Sequence, residues 1–350
     1  MAYRCSDGLR FGRELNNTMK YLYTLLLFII SISLAKAQTI KITEQGKPCS
    51  IRGLSVVNDD IAWLSGSKGH VALSNDGGIT WTWQQVRGYE QSDFRDIEAF
   101  SNKEAIIMSS GTPALILKTT DGGVNWKEVF RNDDKSYFLD AMDFADSKHG
   151  FVMGDPIDGK FLLLESKDGG QTWNKFAIQP TALPGEAAFA ASGTCLSVKS
   201  KGNELILVTG GSVARQITIS GNKVHADVLP MAQGKEGSGA FSIAHGNDRN
   251  VLVGGNYVQN TLPDSVATYF VKISKPKPAK QQPSGYQSCV THLQGLIFVS
   301  TGTPGSNITM DGGLTWKPFD TISYNVCQKA RQGKLVLMAG DKGKTGILKL

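Results

Sequence analysis

The sequence has 350 residues, with 37 basic and 31 acidic side chains and a net charge of +6. Removal of the leader that we predict over residues 1–37 would leave 32 basic and 29 acidic side chains, so the net charge would fall to +3. Such a small excess gives no support to binding of nucleic acid or of a membrane surface. We therefore expect neither as a partner.

The first feature along the chain is a short apolar run near the N-terminus. It covers residues 21–34, follows Lys20 and ends before Ala35 and Ala37. A basic start, an apolar run and a small-x-small site are typical of a secretory signal peptide, and the run is shorter than the ~20 residues of a spanning helix. We predict cleavage between Ala37 and Gln38, export to the periplasm or the extracellular space, and no transmembrane segment in the mature chain. Residues 1–18 are interpreted as lying before the true initiator, Met19. The alternative to a cleaved signal peptide is an uncleaved membrane anchor.

Four cysteines remain in the predicted mature chain, and their spacing matches no zinc-binding pattern. Export would permit disulfide bonds, but a sequence cannot pair four cysteines. We interpret them as buried apolar thiols, with disulfides as the alternative. They are Cys49, Cys195, Cys289 and Cys327.

A motif, Asp-Gly-Gly-x-Thr/Asn-Trp, occurs four times, and its aspartates are 45, 47 and 143 residues apart. The last gap is close to three times the others, which predicts two degenerate copies within it, at residues 217–222 and 270–274. A period in the forties is typical of repeat folds in which each unit is one small sheet. The 313 residues after the predicted leader accommodate about seven such units. The conserved positions of the four copies are Asp76 and Trp81, Asp121 and Trp126, Asp168 and Trp173, and Asp311 and Trp316.

The chemistry of this motif is that of a turn. The carboxylate can accept hydrogen bonds from nearby backbone N–H groups, the glycines adopt positive φ without steric cost, and the Trp can pack between sheets. The motif resembles the Asp-box, or BNR repeat, of sialidase-type β-propellers. In that family the box joins the third and fourth strands of a blade, on the face away from the active site. The resemblance therefore implies a structural role for these residues.

Strand patterns separated by turn signals continue through the rest of the chain, and no segment has helical periodicity. This predicts an all-β fold, a seven-bladed β-propeller of four-stranded blades, forming one domain over residues 38–350. Residues 39–43 alternate like a strand but belong to no repeat, so we predict that they complete the last blade and close the ring. The first strands of the blades are expected at residues 51–56, 94–100, 138–144, 186–189, 240–243, 288–290 and 326–328.

Two glycine-rich stretches imitate nucleotide-binding loops, at residues 209–212 and 343–345. Both lack the remaining glycines and the following helix that such loops require. We therefore predict no cofactor, no metal and no nucleotide site.

A ring of blades brings the starts of its first strands together at one end of the central channel. Arg52 and Arg95 occupy the same phase in successive blades, so both should point into this mouth. Fixed cations beside carboxylates form a suitable site for an anionic group; the alternative is an internal salt-bridge network that fills the channel. The other candidates at first-strand starts are Asp96, Asp140 and Glu186, and those in loops between second and third strands are Lys68, His70, Asp155, Asn256 and Tyr257.

Repeat length and boxes also make the chain similar to the photosystem II stability/assembly-factor-like group of propellers. That resemblance implies a module that binds or helps to assemble another protein, with no known reaction. We predict a monomer without catalytic residues whose partner is a protein or an anionic glycan or small molecule. The alternative is a sialidase-type glycoside hydrolase, which needs three arginines, a Tyr–Glu nucleophile pair and an acidic residue. Only Arg52 and Arg95 fit, because Arg215, Arg249 and Arg331 fall outside the first-strand phase. A Tyr324–Glu186 pair would require blades four and seven to meet.

Overall fold

The computed structural model describes residues 38–199, 202–271 and 274–349, and every regular element within these ranges is a β-strand. The predicted signal peptide lies outside the described residues, as do residues 272 and 273 of the second degenerate box. Across these ranges, we find no helix with the length and apolar character needed to cross a membrane.

The strand β1 (Thr39–Glu44) precedes the first blade. Each of the first three blades consists of four consecutive strands in antiparallel order. These strands are β2–β5 (Ile51–Val56, Ala62–Gly66, His70–Ser74, Thr82–Gln85), β6–β9 (Asp93–Ala99, Ala105–Ser110, Ala114–Thr119, Lys127–Asn132) and β10–β13 (Leu139–Phe144, Gly150–Ile157, Lys160–Ser166, Asn174–Lys175).

The fourth blade contains an insertion. The strands β14–β19 cover Glu186–Ala187, Leu196–Lys199, Glu204–Val208, Gly210–Gly211, Arg215–Ser220 and Lys223–Val228. Four strands, β15, β16, β18 and β19, form the blade, while β14 and β17 pair with each other and join the fifth blade. The last three blades are β20–β23 (Ser238–His245, Asn250–Asn256, Ala267–Phe270, Lys277–Pro278), β24–β27 (Cys289–Gln294, Ile297–Gly302, Gly305–Thr309, Lys317–Asp320) and β28–β30 (Val326–Lys329, Val336–Ala339, Thr345–Lys349) with β1.

The core lies between the blades, because each sheet packs against its two neighbours. The second and third strands are therefore buried on both faces and consist of nearly continuous apolar residues, as in β7 and β8. Between blades one and two, Trp63 packs against Phe94 and Ile97 in one cluster, and its Nε1 donates to the carbonyl of Ser101 across the blade interface at 2.9 Å. Each large apolar side chain buried in this way stabilises the fold by about 1.5–3 kcal/mol.

The ring is closed by β1, which pairs with β30 from Thr39 opposite Lys349 to Ile42 opposite Gly346. The seventh blade is thus assembled from both ends of the described chain. The predicted closure is confirmed, and with it the seven-bladed, four-stranded architecture.

Each of the four boxes is a tight turn between the third and fourth strands of its blade. In the third blade, the Asp168 carboxylate accepts hydrogen bonds from Ser166 Oγ, from the backbone N–H groups of Gln171 and Thr172, and from Thr172 Oγ1, over 2.6–2.9 Å. Although burial raises the pKa of Asp168, these hydrogen bonds lower it to about 2. Trp173 packs edge-on against Phe144, with ring centroids 5.8 Å apart. The turn therefore fixes the outer strand through one carboxylate.

The first strand of blade four is not where the sequence suggested. It is β15, Leu196–Lys199, rather than residues 186–189. Residues 186–187 instead form the short strand β14, which pairs with β17. The connection from blade three to blade four covers residues 176–195, and β14 lies within it. The four cysteines are buried with free thiols, at Cys49, Cys195, Cys289 and Cys327.

Candidate functional site

Irregularities in the first strands turn four side chains into the mouth, the end of the ring where those strands begin. The register skips one residue in each of blades one, two, three and five, at Arg52, Arg95, Asp140 and Phe241. A β-bulge of this kind leaves one residue out of the ladder and redirects its side chain. All four line the same cavity.

This mouth cavity has a volume of about 1070 Å³. One wall is the mouth segment, which we define as residues 185–191, because all seven of these consecutive residues line the cavity. A cavity of this size lies at the upper end of the range of about 300–1,000 Å³ found for ligand-binding sites. Its charged lining residues are the cations Arg52, Arg95 and Lys235 and the acids Asp140, Asp155, Glu186, Glu236 and Asp341.

The two arginines of the mouth differ in whether their guanidinium groups already have hydrogen-bond or salt-bridge partners. Arg95 Nε donates to Asp93 at 2.7 Å, and its guanidinium lies 5.9 Å from the centroid of Phe138. Arg52 makes no hydrogen bond or salt bridge with any residue that the structure describes, although its charge helps to lower the pKa of Asp341. A guanidinium has five N–H donors in a fork that matches a carboxylate. Arg52 therefore presents an uncommitted anion-binding group to the cavity.

Asp140 is fully buried, and neither of its carboxyl oxygens accepts a hydrogen bond of normal geometry from the described part of the chain. Burial, followed by repulsion from Asp155, raises the pKa of Asp140 well above its usual value, against the opposing charge of Arg95. Burial also raises the pKa of Asp155, whose Oδ1 accepts the N–H of Ala188 at 3.0 Å. Both carboxyl oxygens are buried, so Asp140 affects the electrostatics of the mouth but is not a group that a ligand can contact.

Glu186 serves the architecture of the mouth. Its carboxylate receives Arg215 Nε at 2.8 Å and Nη2 at 2.5 Å, together with Thr209 Oγ1 at 2.5 Å and the N–H of Leu183 at 2.8 Å. The side chain is fully buried, and a buried carboxylate with this many donors is fully satisfied. It anchors the mouth segment to blade four.

The chain is similar in part to known photosystem II assembly factors. A family model described as photosynthesis system II assembly factor YCF48 matches residues 35–134. The photosystem II assembly lipoprotein Ycf48 of Synechococcus sp. (strain CC9902) is 23% identical over 170 residues, which are 47% of this chain and 47% of that protein. The photosystem II stability/assembly factor HCF136 of Arabidopsis thaliana is 33% identical over 104 residues, 29% of this chain and 24% of that protein. The chain thus matches about half the length of these relatives or less.

Among solved structures, YCF48 bound to D1 peptide superposes with a TM-score of 0.65 at 14% identity, covering 89% of this chain and 95% of the other. The chain is an Asp-box β-propeller resembling the photosystem II assembly factors. At this identity the superposition itself shows the fold alone.

The Asp-box propeller does not assemble the side chains of a sialidase from its described residues. Two arginines line the cavity, and Arg215 is held by Glu186 outside the lining. Arg331 is paired with Glu98 away from the cavity lining. Tyr324 is fully buried and does not line the cavity, so it forms no nucleophile pair with Glu186.

Some predicted mouth residues of the propeller lie elsewhere. Asp96 is one residue past the bulge and points between blades, where it accepts the N–H groups of Ile97 at 2.8 Å and Met142 at 2.7 Å. Lys68 and His70 do not line the cavity; they flank a turn in which Gly69 N–H donates to the Ser92 carbonyl. Asn256 donates to Ser238 Oγ instead of lining the cavity. By contrast, the predicted residues Arg52, Arg95, Asp140, Asp155, Glu186 and Tyr257 all line it.

Several lining residues of the propeller were missed from the sequence. Phe241 occupies the bulge position of blade five, in the phase of Arg52 and Arg95, so the repeat alignment contained the signal for it. Phe189 falls in the segment that the sequence predicts as the first strand of blade four. Its position in the mouth was not predictable, because a short apolar stretch does not show which strand it pairs with. Tyr286 and the loop Lys235–Glu236 have no motif.

Proposed function

We propose that this propeller is a binding module that holds an extended segment of a partner protein in the mouth cavity. The observation that carries the proposal is Arg52, an uncommitted guanidinium at a bulge in the wall of a cavity of about 1070 Å³. The structurally similar YCF48 was solved with a D1 peptide, which makes a peptide the first ligand class to test.

The mixed charge of the lining favours a peptide over a simple anion. The lining sets acids such as Glu236 and Asp341 among its three cations, so a ligand with only negative groups would meet charges of both signs. A peptide backbone offers both donors and acceptors. An acidic side chain or a terminal carboxylate of the partner would lie on Arg52 and Arg95.

The compartment is part of the same proposal. We propose export through a leader over residues 1–37, with maturation at Ala37. The names of the relatives support an exported location, since one is a lipoprotein and another is chloroplastic. N-terminal sequencing of the secreted protein tests the site, and a chain that retains residues 21–34 at the membrane contradicts it.

The binding proposal is tested by selecting displayed random 12-residue peptides on the purified protein. We expect peptides that the wild type retains and that an Arg52→Ala/Arg95→Ala variant loses, because both arginines face the cavity. Arg131→Ala is the matched control, since Arg131 is an exposed arginine on β9 away from the mouth. The Arg131→Ala variant should retain the same peptides as the wild type.

Two results would overturn the proposal. Either the selection yields no peptide that depends on the mouth arginines, or the protein hydrolyses chromogenic sialosides with turnover that is lost in both Arg52→Ala and Arg95→Ala. The second result would replace the binding module with a glycoside hydrolase.

A further inference from the structure

A cluster of four aromatic side chains, which we call the aromatic wall, lines the mouth cavity on the side of blades four to six. It consists of Phe189, Phe241, Tyr257 and Tyr286. Phe189 and Phe241 are stacked, with ring centroids 3.9 Å apart and an interplanar angle of 8°. Tyr286 and Tyr257 meet Phe241 edge-on at 4.9 and 6.3 Å.

The reachable part of the wall is formed by two of the rings. Phe241 and Tyr286 are buried, whereas Tyr257 is 47% exposed and Phe189 is half-buried. A core cluster would bury all four rings. Here two buried rings support two that a ligand can contact.

Glycines allow the backbone to pack closely against the two reachable rings. A Cβ at Gly210 would lie 2.5 Å from the Phe189 ring, and one at Gly237 would lie 2.8 Å from the Tyr257 ring. The backbone therefore approaches each ring more closely than another residue would allow. Rings held in this way lose little conformational freedom when a ligand binds.

Arg52 lies beside this wall. Its positive charge acts on the Tyr286 hydroxyl, opposing the burial that raises the pKa of that phenol. An uncommitted cation and a supported aromatic surface thus share one cavity.

We propose that the mouth recognises two side chains of the partner segment. One is an aromatic side chain that packs on Tyr257 and Phe189, and the other is an acidic side chain, within two residues of it, that binds Arg52. This inference rests on the proposed function and specifies the partner segment. Residues i and i+2 of an extended chain project to the same side about 6.5–7 Å apart, and neighbouring residues project to opposite sides. Because Arg52, Phe189 and Tyr257 line the same cavity, a short extended segment that enters it can present an aromatic and an acidic side chain together.

The experiment uses the peptides selected on the wild-type protein and measures their affinity by fluorescence anisotropy. We expect them to be enriched in an aromatic residue close to Asp or Glu. Replacement of that aromatic residue by Ala should weaken binding to the wild type about tenfold, the size of a good ring contact, but binding to Tyr257→Ala less than about threefold. Tyr257→Phe, which keeps the ring, should behave as the wild type.

The acidic position is tested in the same way. Replacement of the peptide's Asp by Asn should weaken its binding to the wild type and to the Tyr257→Ala variant. It should have little effect on its binding to the Arg52→Ala variant. Mouth-dependent peptides without an aromatic preference would overturn the aromatic reading and leave the proposed function intact. An aromatic preference unchanged in Tyr257→Ala would place the contact elsewhere and also overturn it. Failure to select any mouth-dependent peptide would overturn both proposals.

Discussion

Asp140 and Asp341 both line the mouth cavity, but their surroundings shift their pKa values in opposite directions. Asp140 is buried beside Asp155 with Arg95 as its opposing charge, and its pKa is raised well above the usual value. Burial also acts to raise the pKa of Asp341, but hydrogen bonds from Ser50 and Asn325 and the charge of Arg52 outweigh it, so the pKa is lowered. The two residues should therefore affect stability with opposite dependence on pH.

Replacement of Asp140 by Asn should stabilise the protein at alkaline pH. Above about pH 3.9 the unfolded chain releases the Asp140 proton while the folded chain keeps it, so this group costs stability as pH rises through that window to its folded pKa. The amide cannot ionise and avoids the cost. We expect Asp140→Asn to melt at least about 2 °C above the wild type at pH 8 and together with it at pH 4, by calorimetry.

Asp341→Asn is the matched control of opposite sign. The stability that Asp341 contributes is present above its unfolded pKa and is lost as pH falls through the lower folded pKa. The variant should melt below the wild type at pH 8, and the difference should close towards pH 3. Equal shifts of the two variants at every pH would contradict this assignment of the mouth carboxyls.

At the scale of single elements, the sequence placed most blade strands but misplaced the one that shapes the site. Residues 186–189 alternate like a strand, yet the side that Glu186 faces is set by Arg215 and Thr209, which are distant in sequence. Bulges also depend on the pairing partner. The common phase of Arg52 and Arg95 was therefore predictable, whereas the direction of Asp96, one residue beyond the bulge, was not.

The box turns allow a test at this scale. Asp168→Ala removes the acceptor of four hydrogen bonds that fix one hairpin, three of them to N–H or O–H groups of Gln171 and Thr172. We expect a loss of about 1–3 kcal/mol in the free energy of unfolding at pH 7, from urea titration. Because the Asp168 pKa is lowered to about 2, its contribution is lost as pH falls from about 4 towards 2, and the cost of the substitution should shrink there.

The control for the box is Asp248→Ala, an exposed aspartate in the turn between β20 and β21. It should change the free energy of unfolding by less than about 0.5 kcal/mol. If the two variants unfolded alike, the carboxylate of the box would contribute nothing beyond any surface charge.

On the scale of the whole molecule, the architecture was readable from the sequence because each repeat carries the same turn chemistry and the same length. The period gave the number of blades, and the unassigned alternating segment at residues 39–43 gave the closure. The site was less readable, since it is the place where the repeats differ. Arg52, Arg95, Asp140 and Phe241 occupy equivalent bulges with unlike side chains, which is how a regular ring acquires one specific face.

Ring closure by β1 gives the last prediction. Ile40 packs into the cluster between the first and last blades, and Gly346 leaves room for it, because a Cβ there would lie 2.5 Å from Ile40 Cγ2. A chain beginning at Gln45 would lose this partial burial, worth less than the roughly 1.5–3 kcal/mol of a fully buried side chain, and the ladder hydrogen bonds to β30, at about 1 kcal/mol each. It would also expose β30 as a free edge, which favours association between copies. We expect a lower melting temperature and concentration-dependent oligomers in sedimentation velocity.

A synthetic peptide of residues 38–46 should restore the melting temperature as its concentration rises, and the same peptide with Ile40→Asp should not. A truncated chain that melts and sediments like the full chain would show that β1 is not what closes the ring.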